Sequence, residues 1–332
     1  MGAIVLLGSS YLVEQGIGFF SDRIRARPVT RAAIRWPEYA EFLSETALIR
    51  EFGRSVLGLT DARSYTTFVY SRRDHVAWVV SAARPTSFER KVWRFPIVGN
   101  VPYKGFYRER SALREAARLE TEGWETLVRK VGAFSSLGYT ADPLYSYMST
   151  YAPDRIAALL LHEMTHATIW VRDDPPLSEA IATYVGDRGA IAYLGHRYGL
   201  ASQAVAEATR RQTERERFAG FLRDMAARLE LLYGLDKPDA WKLARRETII
   251  ADEKLRFESS YGLWFSDETY RGFSQRIVSN AYLDLYRTYN SDIGLIAAYH
   301  ETIGGGIADL LASLAKLYAG GDLREGIEQA LR

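Results

Sequence analysis

Leu161-His162-Glu163-Met164-Thr165-His166-Ala167-Thr168-Ile169-Trp170 is the stretch on which the reading of this chain turns. It continues an apolar run that begins at Pro153, and the spacing predicts a helix from Pro153 to about Val171. Proline suits the first helical position, and Asp154 in the first turn complements the positive end of the helix dipole. Inside that helix His162 and His166 lie four apart, on one face and one turn from each other. Two imidazoles so spaced can hold a single zinc ion, with Glu163 in reach of a water on the metal. The chain has five histidines in 332 residues, so the pattern is no by-product of a histidine-rich composition.

A zinc ion needs a third protein ligand. The chain turns at Arg172-Asp173-Asp174-Pro175-Pro176, and a second helix is expected from about Leu177 to 199. Folding the two helices antiparallel carries Glu179, in the first turn of the second, back towards His166. Glu179 is therefore the expected third ligand. Asp173 and Asp174 are alternatives that sit at the turn, where cap or loop roles suit them. His162, His166 and Glu179 leave one metal position for water, whose pKa the metal lowers and which Glu163 deprotonates as general base. The same residues also read as E-x-x-H, half of a carboxylate-bridged di-iron site. A second copy would have to end at His75, His196 or His300, and Arg72, Tyr193 and Ala297 stand three residues before them. One zinc ion is the expected cofactor.

Composition narrows the field further. There is no cysteine, which excludes disulfides, thiolate metal sites and cysteine nucleophiles. The formal net charge of +2, with acids and bases interleaved as in Arg210 to Arg217, gives no footprint for nucleic acid. No segment is long enough to span a bilayer. Any membrane association would rest on the apolar but short N-terminus, Met1 to Ser10, which reads equally as an altered export signal or a first helical turn.

Along the chain three parts are expected: a helical segment at 1–60, a small mixed β-sheet with a crossing helix at 61–150, and a mainly helical zinc-binding part at 151–332. The fold class is α+β. Strands are predicted at Tyr65–Tyr70, Val76–Val80, Trp93–Val98 and Val131–Ser135, with a helix over Glu109–Lys130 between them. Pro37 to Phe52 has helical spacing. Further helices are expected near 201–232, 237–256, 268–289, 305–319 and 322–331.

Several stretches resemble a bacterial family of putative aminopeptidases, zinc-dependent relatives within the thermolysin-like (gluzincin) clan. They are Val98-Gly99-Asn100-Val101-Pro102-Tyr103-Lys104-Gly105-Phe106-Tyr107, then Ala133 to Tyr139 with Asp142-Pro143-Leu144, then the helix of His162 with Asp173 to Ala180, and finally Ser279-Asn280-Ala281 with Tyr289. The resemblance covers most of the chain from about Tyr11. Ser178 stands where the family has asparagine, a departure that weakens the expected support of Glu179 but keeps the ligand. The cysteine that anchors some members as lipoproteins is replaced by Ser9.

The resemblance implies a cell-envelope or periplasmic metallopeptidase acting on peptides, an aminopeptidase first of all; a cytoplasmic location is the alternative. It also implies an edge strand that pairs with the substrate backbone, which falls on Val131 to Gly138 and so on Phe134, Ser135, Ser136 and Gly138. Independently, that segment ends in small residues, where a peptide can approach closely. Tyr289 matches the family tyrosine and is the expected donor to the oxyanion, with Tyr282, Tyr299 and His300 as competitors. Asp142, Asp173 and Asp174 are candidates for holding the substrate amine. An endopeptidase with the same zinc site, and a non-catalytic binding protein on a peptidase scaffold, remain the alternatives.

Overall fold

A computed structural model describes residues 24–61, 63–95, 99–132, 142–288 and 291–332. The segments expected to bind substrate (Phe134, Ser135, Ser136 and Gly138), Tyr289 and the first 23 residues lie outside them. The described chain is α+β, with eleven helices and three small sheets, and the strands lie in its N-terminal half. The helices are α1 (Val29–Arg35), α2 (Ala40–Ser55), α3 (Glu109–Thr121), α4 (Pro153–Thr168), α5 (Pro175–Tyr198), α6 (Gln203–Tyr233), α7 (Asp239–Trp264), α8 (Asn280–Thr288), α9 (Ser291–Ile303), α10 (Ile307–Gly320) and α11 (Leu323–Ala330). None of them is long and apolar enough to cross a membrane.

The chain divides into two compact units. One collects Met1–His75, Gly132–Arg210 and Tyr289–Arg332; the other collects Val76–Val131 and Arg211–Thr288. The first unit is built on α4 and α5. Helix α4 buries Ile156, Leu160, Leu161 and Met164 on one side, leaving His162, Glu163 and His166 only partly covered. Its neighbour α5 runs antiparallel to it and approaches closely because Gly186 and Gly189 face it. A Cβ on Gly186 would stand 2.7 Å from the Ala158 carbonyl oxygen and 3.2 Å from the His162 Cβ. Helix α2 packs across α4 through Gly53, where a Cβ would meet Leu161 and Met164 at 2.9 Å. A small sheet joins β1 (Arg27–Pro28), β2 (Thr67–Val69) and β8 (Leu144–Tyr145), with β2 and β8 parallel.

In the second unit β3 (Ala77–Ala83) is flanked by β6 (Lys104–Phe106) and β7 (Glu125–Val131), both antiparallel to it. A two-stranded ribbon joins β4 (Trp93–Phe95) and β5 (Gly99–Val101). The core between α6, α7 and α8 is aromatic: Phe218, Phe221, Phe257, Tyr261, Phe265 and Phe273 form one buried cluster. Asn280, fully buried, ties this unit together. Its side-chain amide donates to the carbonyls of Arg84, Pro85 and Ser87 at 2.8–3.1 Å and accepts from the Tyr233 hydroxyl at 2.9 Å.

Three sequence expectations are corrected. The helix expected over Glu109–Lys130 stops at Thr121, and Glu125–Val131 is a strand. Gly123 at φ +78° breaks the helix, and seven consecutive pairings with β3, from Ala77↔Val131 to Ala83↔Glu125, then hold the chain extended. The helix expected over 268–289 is restricted to Asn280–Thr288, after a single short turn at Arg271–Phe273. Ser291–Ile303 forms a helix that periodicity did not single out. Its composition is apolar with little stripe, the pattern of a helix packed on several sides.

Candidate metal centre

The site is assembled by a short connection between two helices. Helix α4 ends at Thr168, and Ile169 is extended. Helix α5 begins at Pro175, with Asp174 as its cap: the Asp174 carboxylate accepts the Leu177 N–H at 3.1 Å. Prolines at the first two helical positions cost nothing there, because those N–H groups have no partner within the helix. Ser178 closes the connection from inside. Its buried hydroxyl accepts the Val171 N–H at 2.8 Å and donates to the Val171 carbonyl at 3.2 Å. Serine thus supplies a donor and an acceptor to the same backbone residue, which ties the turn closed.

That turn brings the three expected ligands together. The Nε2 atoms of His162 and His166 are 3.1 Å apart. Glu179 places one carboxylate oxygen 3.6 Å from the first and the other 3.3 Å from the second. Among the described residues these three form the candidate metal cluster. A tetrahedral zinc ion with bonds of about 2.0–2.1 Å separates its ligand atoms by about 3.3 Å, so the three spacings fit one ion. The two ring nitrogens face each other, an arrangement that suits a shared cation or a hydrogen bond between opposite tautomers. The Trp170 ring covers His166 edge-to-face, with centroids 5.2 Å apart. The His166 Nδ1 is buried and has no hydrogen-bond partner among the described residues.

The electrostatics suit a cation. Burial pushes the His162 imidazole down, but the hydrogen bond to Glu179 and the charges of Glu163, Glu179 and Asp187 overcome this, and its pKa is raised. Burial likewise pushes the Glu179 carboxyl up, yet hydrogen bonds and charge from the two histidines bring it down to about 2. Glu179 is therefore ionised at any physiological pH, ready to ligate.

Among the alternative ligands, Asp174 is committed elsewhere: besides its cap bond it holds Arg324 at 2.6 Å. Asp173 is exposed at the turn and outside the cluster. Two competitors for the oxyanion role have hydrogen-bond partners, although the buried His300 Nε2 has none among the described residues. The Tyr299 hydroxyl pairs with Ser313 at 2.5 Å, and His300 Nδ1 pairs with the Tyr184 hydroxyl at 2.9 Å. Asn280, singled out for its resemblance to a family motif, is the structural tie of the second unit.

Sequence reasoning missed Tyr65. Among the described non-glycine residues it alone has a positive φ, +63°, and it is buried. Its N–H donates to the Asp142 carbonyl at 2.5 Å. Burial first, and the Glu163 carboxylate second, push its phenol well above the usual range. A neutral hydroxyl is thus kept in the field of the expected general base, with backbone strain of the kind found at functional sites. Nothing in the local sequence signals it, because the Asp142 carbonyl and the Glu163 carboxylate that act on it come from far along the chain.

Comparison with known proteins agrees with the motifs. Neither a curated protein nor a solved structure matches the chain significantly. A family model described as "Putative aminopeptidase" matches residues 23–326, nearly the whole chain. The chain is therefore a member of that aminopeptidase family.

Proposed function

We propose that the protein is a zinc-dependent metallopeptidase that removes residues from the amino end of peptides. The carrying observation is the triangle of donor atoms on His162, His166 and Glu179, whose sides of 3.1, 3.3 and 3.6 Å suit one tetrahedral ion. The family membership supports peptide hydrolysis, and the absence of cysteine leaves nitrogen and oxygen donors to bind the metal.

His162, His166 and Glu179 would hold the ion, which supplies Lewis-acid activation of water and of the scissile carbonyl. Glu163, next in sequence to His162, takes a proton from the attacking water as the new C–O bond forms. It returns that proton to the nitrogen of the leaving amine as the C–N bond breaks. We assign stabilisation of the carbonyl oxygen to Tyr289 from the family pattern. Backbone pairing with the substrate is assigned to Phe134, Ser135, Ser136 and Gly138 on the same basis.

Glu163→Gln tests the reading. The variant is expected to bind zinc at one equivalent and to lose at least ~100-fold in peptide hydrolysis, measured on a mixed peptide library with and without chelator. Retained hydrolysis at full zinc occupancy would refute the mechanism. A wild-type protein that binds zinc but cleaves nothing would favour a binding protein.

A further inference from the structure

Two side chains from the C-terminal helices bond to the connection between the ligand helices. The Arg324 guanidinium on α11 donates through Nε to the Asp174 carboxylate at 2.6 Å. Its two terminal nitrogens donate to both oxygens of Asp292, on α9, at 2.9 and 2.8 Å. On α10, Tyr318 donates to the Trp170 carbonyl at 3.0 Å. Trp170 is the residue whose ring covers His166, and Asp174 caps the helix that carries Glu179. Neither α10 nor α11 supplies a group to the proposed chemistry, yet each is bonded to this six-residue connection.

The geometry points to Arg324 as a positioning residue for the metal: it fixes the N-terminal end of α5 so that Glu179 meets His162 and His166. This rests on the metallopeptidase reading above. Glu179 lies five residues beyond the cap, about 7.5 Å along the helix. A tilt or slide of the first turn is therefore passed almost unreduced to the carboxylate. Asp174 alone cannot resist such a slide, because its cap bond moves with the helix. Arg324 refers the cap to α9, a separate helix that already packs on α5 through the Tyr184–His300 pair. The planar guanidinium serves two carboxylates at fixed angles, which an ammonium cannot do. An ordinary solvent-exposed ion pair would be worth little. Here three bonds converge on one side chain, only a third of which is exposed, and the partners lie on two different elements. Partners hydrogen-bonded directly to a ligand change metal affinity by about 10–100-fold when removed, and Arg324, one step further out, is placed at the low end of that range.

The test measures zinc affinity of metal-stripped full-length protein by competition with a chromophoric chelator. Arg324→Ala is expected to raise the zinc Kd about tenfold or more, and Arg324→Lys to recover little of it. Asp292→Asn, which keeps shape and leaves Arg324 bonded to Asp174, is expected to raise it several-fold and guards against misfolding of the first variant. Leu222→Ala, a buried site in the other unit, should lower the thermal midpoint yet leave the zinc Kd within twofold. Kd values within twofold of wild type for Arg324→Ala or Asp292→Asn would overturn the positioning role while leaving the metallopeptidase reading intact. Failure of the wild-type protein itself to bind zinc would overturn both.

Discussion

Gly186→Ala is the most informative single substitution at the junction of fold and site. Gly186 sits within α5 against α4, and an added Cβ would lie 2.7 Å from the Ala158 carbonyl oxygen, 3.2 Å from His162 Cβ and 3.3 Å from His162 N. Ordinary carbon–oxygen contacts begin at about 3.3 Å, so the helices must part locally by ~0.6 Å. The nearest atoms are backbone and the root of a ligand side chain, which cannot rotate away. A metal site tolerates displacements of about 0.5 Å, and this one acts between the helix bearing His162 and the helix bearing Glu179. Overpacking costs about 1–3 kcal/mol. Replacing a helical glycine by alanine returns about 1 kcal/mol. The net expectation is a loss of at most about 2 kcal/mol in the metal-stripped protein, with a zinc Kd raised at least tenfold, or about 1.4 kcal/mol. Urea denaturation and chelator competition read the two quantities separately. Gly262→Ala in α7 is the control: it is exposed with nothing within 4 Å of the new Cβ, and should stabilise by about 0.5–1 kcal/mol. If Gly186→Ala also stabilises and leaves zinc affinity unchanged, the close-packing argument is wrong.

Other expectations concern pH, the second unit and the connection. In the metal-stripped protein His162, with its raised pKa, contributes stability that is fully present below about 6.5 and is lost as pH rises through its folded value. Glu179 contributes above its ordinary value of 4.5 and loses that contribution as pH falls towards about 2. Protons compete with zinc for the same imidazoles, so the rise in thermal midpoint caused by zinc should shrink from pH 8 to pH 6; a constant or growing rise would contradict the assignment. Asn280→Ala strips a partner from three carbonyls and from the Tyr233 hydroxyl. It should cost about 3 kcal/mol in denaturation without changing zinc affinity. Ser178→Ala leaves the Val171 N–H buried without an acceptor, at a cost of about 1–3 kcal/mol. It should also weaken zinc binding, and an unchanged zinc Kd would show that the turn holds without it.

The division between what could be read early and what could not follows sequence separation. His162, Glu163 and His166 lie within five residues, so helix periodicity alone sets the two histidines on one face with the glutamate beside them. Glu179 is one tight turn away, and the short connection with its prolines leaves the two helices little choice but to fold back on each other. The sheet was harder. Glu125–Val131 has residues that serve a helix as well as a strand, and its pairing with Ala77–Ala83, some 50 residues earlier, decides the matter.

What the sequence determined by itself is therefore the candidate metal half-site on α4, the placing of Glu179 beside it and the α+β class. All of these rest on local periodicity and turn chemistry. Tertiary structure alone decided that Asp174 is a cap clamped by Arg324 from 150 residues away, and that Ser178 ties Val171 on both sides. It also decided that Asn280 holds the second unit together and that Tyr65 adopts a strained backbone in the field of Glu163. These roles depend on which hydrogen-bonding and charged groups meet when distant segments pack. A side chain's type fixes what it can bond to; only the fold fixes which partner arrives.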